Sequence, residues 1–124
     1  MLGSFAEKYQ LSKEHAVRLA AAFGGGIARS GQICGAVSGA LLVIGLAHGA
    51  TLADDVASRE RTYAMVTEFR KQFQSDHGSV VCRELLGVDL GMPGGREAAL
   101  RDGLFKLKCP IFVRAAVEIV GRFV

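Results

Sequence analysis

The stretch G24-G-G-I-A-R-S-G-Q-I-C-G-A-V-S-G-A-L-L-V-I-G-L-A-H-G49 decides how the chain folds. It is dense in glycine, carries Arg29 as its one Lys, Arg, Asp or Glu, and contains a cysteine, Cys34. Its apolar run, Ile33 to Ala47, has 15 residues. A bilayer span needs about 20, so the run reads as a buried helix from about Cys34 to His48, stopped by Gly49, and no membrane insertion is expected. The loop before it, GGGIARSGQ, lacks the Gly-Lys-Ser/Thr ending of a phosphate loop and follows no strand. A helix buried on all sides must sit at the centre of a bundle.

Outward from that helix, the rest of the chain also reads as helical. Ser12 starts a helix whose Ala16, Leu19, Ala20 and Phe23 share one face, and Gly24 to Gly26 end it. Leu2 to Tyr9 reads as the end of a helix. Asp54 or Asp55 caps a long helix with Val66, Phe69 and Phe73 inward and Arg59, Glu60, Arg61 and Lys71 outward. A short helix is expected over Cys82–Leu86, then a loop from Gly87 to Gly95, then a turn or two of helix over Arg96–Arg101. The last helix starts at Pro110, a residue favoured at the first helical position. Its charges, Arg114, Glu118 and Arg122, fall on one narrow stripe. The expected fold is all-α: a single-domain bundle of about five to six helices over residues 1–124, lacking the start of its first helix.

Composition narrows the function. Fifteen Lys and Arg against twelve Asp and Glu leave a net charge of +3, and the basic residues are scattered. Nucleic-acid binding requires a concentrated basic face, so none is expected. The opening MLGSFAEKYQ has no basic n-region and no cleavage site, which predicts a cytoplasmic protein with reduced cysteines.

The chemistry lies in the three cysteines. Each stands at a predicted helix start: Cys34 before GAVSGALLVIG, Cys82 before RELLG, and Cys109 before Pro110. Helix N-termini offer unpaired N–H groups and partial positive charge. Both favour the thiolate, which is the nucleophile and the metal ligand. Cys34 is therefore expected to titrate below a free thiol, and the three sulfurs to converge, with Cys82 and Cys109 close enough for a bridge or a shared metal. Buried small hydrophobes are the bland alternative. There is no CxxC or CxxCH. Gly35 and Gly39 strip bulk from the helix face beside Cys34, so that a neighbour or cofactor can approach. Arg29 is a candidate to hold a thiolate. His77, five residues before Cys82, is a candidate fourth ligand. His48 is too far along its helix from Cys34 to share a metal with it.

Phe23-Gly24-Gly25-Gly26-Ile27, then Cys34-Gly35-Ala36-Val37-Ser38-Gly39-Ala40, then Cys82-Arg83-Glu84-Leu85-Leu86-Gly87, then Cys109, together resemble the C_GCAxxG_C_C family, small bacterial or archaeal proteins assigned to redox chemistry. The resemblance covers nearly the whole chain and implies that Cys34, Cys82 and Cys109 belong to one site. Family members carry a further cysteine on the first helix, before the stretch that matches Leu2–Tyr9. The resemblance leaves open an iron–sulfur cluster or zinc, held by the three cysteines with His77, water or a partner's ligand. Three readings follow: a thiol-based redox or electron-transfer protein with a redox partner protein, a non-catalytic metal-binding helical module, and a dimerisation protein with inert cysteines. The apolar last helix predicts a homodimer.

Overall fold

The computed structural model describes residues 1–124, and the fold is all-α. Its helices are α1 (Lys13–Ala20), α2 (Gly35–His48), α3 (Val56–His77), α4 (Cys82–Leu86), α5 (Gly95–Arg101), α6 (Leu104–Leu107) and α7 (Cys109–Val120). Short 3-10 turns cover Leu2–Ser4, Glu7–Tyr9 and Ala21–Phe23. Leu2–Tyr9 is thus two tight turns rather than the tail of an α-helix. Its Leu2 and Ala6 are buried in the core. The segment α6, to which the sequence analysis assigns no element, is a single helical turn.

The caps follow side-chain chemistry. The hydroxyl of Ser12 accepts the His15 N–H at 3.1 Å, and the carboxylate of Asp55 accepts the Ser58 N–H at 3.0 Å. Each supplies one of the orphan donors at a helix start with a partner. Gly78 and Gly87 end α3 and α4 in the left-handed conformation that glycine adopts without a Cβ clash.

The centre of the molecule is α2, packed against both α3 and α7, which also pack on each other. Val37, Ala40, Val43 and Ile44 of α2 are fully enclosed, while Leu41 and Leu42 are half-buried. From α3 come Phe69 and Phe73, stacked with ring centroids 6.0 Å apart, and from α7 comes Phe112, 6.3 Å from Phe73. Burying each such ring contributes on the order of 2–3 kcal/mol. On α1, Ala16 is buried but Leu19 is exposed, so the inward face of that helix is narrower than its apolar spacing indicates.

Candidate functional site: a chamber lined by three thiols

Three local structures carry the cysteines. Cys34 is the N-cap of α2, Cys82 the first residue of α4, and Cys109 the first residue of α7, one place inside the cap position expected for it. A lone antiparallel bridge between Ile33 and Val81 ties the first two together. The Cys34 N–H donates to the Val80 carbonyl at 2.9 Å, and the Cys82 N–H to the Gln32 carbonyl at 2.6 Å. Ser79 secures the start of α4: its hydroxyl accepts the Val81 N–H at 2.9 Å and pairs with the Glu84 carboxylate. Lys108 brings in the third cysteine, because its ammonium donates to the Leu86 carbonyl at 3.2 Å and so joins the start of α7 to the end of α4.

The result is one chamber of about 220 Å³ whose wall includes Cys34, Cys82 and Cys109. Gly25, Gly26, Gly35, Ala36, Leu86, Phe105 and Val113 complete its lining. Apart from the sulfurs the lining side chains are apolar. All three cysteines are free thiols; Cys82 is buried and the other two are half-buried.

The wall on the glycine side is a left-handed turn. Gly25, Gly26, Ile27, Ala28 and Arg29 all have positive φ, between 49° and 71°. A left-handed conformation costs roughly 1–2 kcal/mol at each non-glycine residue. The turn is held by backbone bonds, among them Gly31 N–H to the Gly25 carbonyl at 3.1 Å and Gln32 N–H to the Gly26 carbonyl at 2.9 Å. Gly26 is required for space as well, since a Cβ there would lie 2.6 Å from the Cys82 Cβ.

The electrostatics correct one expectation. Burial pushes the Cys34 thiol up, and the N–H groups of Ala36 and Val37 pull it back only in part. Cys34 closes no full cap hydrogen bond with its side chain, so its place at a helix start does not bring it below a free thiol. Cys82 is pushed up to about 11, first by burial and then by the charges of Cys34, Cys109 and Asp89. Cys109 is also raised, by burial and then by Cys34, against one backbone N–H that favours its thiolate. Desolvation therefore outweighs the helix ends. Two backbone donors assist Cys34, one assists Cys109, and none assists Cys82.

The other sequence candidates divide. Gly35 lines the chamber, and a Cβ on it would stand 3.0 Å from the Phe23 carbonyl oxygen. Gly39 does not face another cysteine; a Cβ there would meet Met1, so its role is to seat the N-terminal turn. Arg29 is exposed and lines a separate cleft, with Gly25 and Phe105, rather than the thiol chamber. His77 is half-buried and lays its ring on Phe73 and Phe112 of the main core, with centroids 4.8 and 5.4 Å away. His48 Nε2 pairs with the Phe123 carbonyl oxygen at 2.6 Å, tying the end of α2 to the end of α7. Phe105 went unmarked by sequence reasoning because a single aromatic in the short stretch GLFKLK has no periodicity to betray it.

A family model described as "Putative redox-active protein (C_GCAxxG_C_C)" matches residues 1–123. The chain belongs to this C_GCAxxG_C_C family. No curated protein and no solved structure is found similar to it. In this member of the family no three His, Cys, Asp or Glu side chains stand together as a metal-holding group. The thiols as placed do not make a ready zinc or cluster site. No helix is long and apolar enough to cross a membrane.

Proposed function

We propose that the protein is a thiol-based redox protein in which Cys34 and one of its two neighbours cycle between dithiol and disulfide. The observation that carries this reading is the single apolar chamber lined by all three free thiols. Their mutual effects on titration are further support, since the charge on Cys34 is felt by both Cys82 and Cys109.

Cys34 is the attacking group, because it has the most backbone donors for its thiolate. Once deprotonated, its sulfur attacks one sulfur of a substrate disulfide. A mixed disulfide forms and the first substrate thiolate leaves, taking up a proton. Cys82 or Cys109 then loses its proton and attacks the Cys34 sulfur, expelling the second substrate thiolate. Two protein thiols become one disulfide while the substrate disulfide becomes two thiols, and the third cysteine stays reduced. The raised pKa values keep most of the sulfur as thiol at neutral pH, so the reaction is slow unless a partner or substrate brings positive charge or donors that stabilise the thiolate. A redox partner protein in a reducing compartment such as the cytoplasm fits this cycle.

The test is anaerobic incubation of the reduced chain with glutathione disulfide, followed by peptide mapping. The expected product is an intrachain bridge that includes Cys34, with one cysteine left free. Mixed disulfides alone, with no intrachain bridge, would refute the cycle.

A second reading, assembly through the start of the last helix, is favoured by the apolar side chains exposed at Leu107, in the turn before it, and at Ile111. We read this face as the contact of a homodimer. Ile111→Lys is then expected to turn a sedimenting dimer into a monomer, whereas a wild-type chain that is already monomeric at micromolar concentration removes the reading.

A further inference from the structure

The thiol chamber has a neighbour. A cleft of about 430 Å³ adjoins the left-handed turn, lined by Arg29, Ala28, Leu90 and others. Chamber and cleft share two wall residues, Gly25 and Phe105. Gly25 has no side chain, so the Phe105 ring is the side chain common to both walls. The same ring borders a third void, of about 150 Å³, against Ala99, Leu100 and Gly103.

An aromatic ring in a protein interior is ordinarily packed on all sides, with few voids larger than a water molecule. Phe105 instead is half-buried and borders three separate voids. Its helix is equally loose. The four residues of α6 include none that is buried, and no side chain caps its start. The segment is bounded by two pivots. Gly103 enters it with a φ of 67°, and Lys108 leaves it anchored to the Leu86 carbonyl. A short, poorly buried element between such pivots belongs to the low-stability end of a fold, where local opening is easiest.

We propose that Phe105 is a gate: its ring closes the thiol chamber from the Arg29 cleft, and rotation into the third void opens a path for small thiol-reactive molecules to Cys82. The inference deepens the reading of the chamber as a redox site by naming what controls access to it. Cys82 is the cysteine that needs a gate, being only 6 % exposed. The class of molecule this path admits to Cys82 is a low-molecular-weight disulfide or related oxidant, because a protein disulfide cannot follow a small molecule through the cleft past a ring; a partner protein meets the half-buried Cys34 instead.

The test uses the full chain with Cys34→Ser and Cys109→Ser, so that Cys82 alone is labelled, and measures its alkylation by iodoacetamide under native conditions. Phe105→Ala should accelerate labelling about tenfold or more, because the ring no longer limits the opened population. Phe73→Leu, which loosens the main core, should leave the rate within about twofold of the parent if local opening governs labelling. Equal rates for parent and Phe105→Ala, or equal acceleration by Phe73→Leu, would overturn the gate. Should Phe105→Ala fail to fold by circular dichroism, Phe105→Trp decides: the larger ring fills the voids and slows labelling severalfold, and an unchanged rate overturns the proposal. Alkylation needs no redox cycle. Gated labelling without any intrachain disulfide would therefore sink the redox reading and keep the gate, while ungated labelling with a disulfide would do the reverse.

Discussion

The two ends of this small bundle are built differently. Where α2, α3 and α7 meet, 16 buried residues form one continuous core, with Phe69, Phe73, Val37, Val43 and Ile44 fully enclosed. Around α4, α5 and α6 a separate cluster has four buried members, Cys82, Leu86, Leu90 and Ala99, and is bordered by cavities. The first region holds the fold. The second leaves room for chemistry, and a cysteine belongs to its small core. α7 connects them, since it lends Phe112 and Ile119 to the large core and Cys109 to the rim of the small one.

Substitutions should separate the two regions. The largest effect is expected at Phe73→Ala, which removes a fully buried ring from the large core and should cost about 3–5 kcal/mol in chemical denaturation. A loss under about 1 kcal/mol, well below that range, would mean that the large core does not carry the fold. Next comes Gly26→Ala. Its φ of 71° and the 2.6 Å approach of a Cβ to the Cys82 Cβ make it unfavourable on both counts. A destabilisation above roughly 2 kcal/mol is expected from a left-handed alanine plus a clash, together with a changed alkylation rate at Cys82. A neutral result would show that the left-handed turn does not abut the thiols.

Alkali should attack the small cluster before the large core. The folded pKa of Cys82, about 11, lies above the ordinary value of 9.0, so the native state holds its proton more tightly than the unfolded chain. The stability this thiol contributes is fully present below pH 9 and is lost as pH rises through about 11. Denaturation midpoints measured across that window should fall for the wild type and fall less for Cys82→Ala. Equal slopes would show that Cys82 is not held in its protonated form. The smallest effect should be a gain. Ala28 sits in the left-handed region at a φ of 49° and is exposed. Ala28→Gly relieves that strain against the higher chain entropy of glycine, a net stabilisation of about 0.5–1 kcal/mol. A loss of stability would argue that the turn is not strained.

Much of the large region could be read from residues. The charge-free run after Cys34 demanded a buried helix, Ser12 and Asp55 announced their caps, and Phe69 and Phe73 fell four apart on an inward face. The start of each cysteine-bearing helix was also legible, through the glycines before Cys34 and the proline after Cys109. The small region was less so. Gly25, Gly26 and Gly31 signal positive φ, but nothing in the side chains of Ile27, Ala28 and Arg29 asks for it; the surrounding backbone bonds impose it. The raised titration of Cys34 runs against its place at a helix start because helix position is visible in a sequence and the degree of burial is not. The packing of the His77 ring on two phenylalanines is likewise invisible in its position five residues before Cys82.

The central claim is that the three thiols act as one site. It is tested most directly by equilibrating the chain with glutathione buffers of graded potential and counting free thiols at each. The account predicts one two-electron transition that consumes Cys34 together with Cys82 or Cys109, independent of protein concentration, and abolished by Cys34→Ser. Three thiols that oxidise independently, each to a mixed disulfide and indifferent to Cys34→Ser, would contradict it.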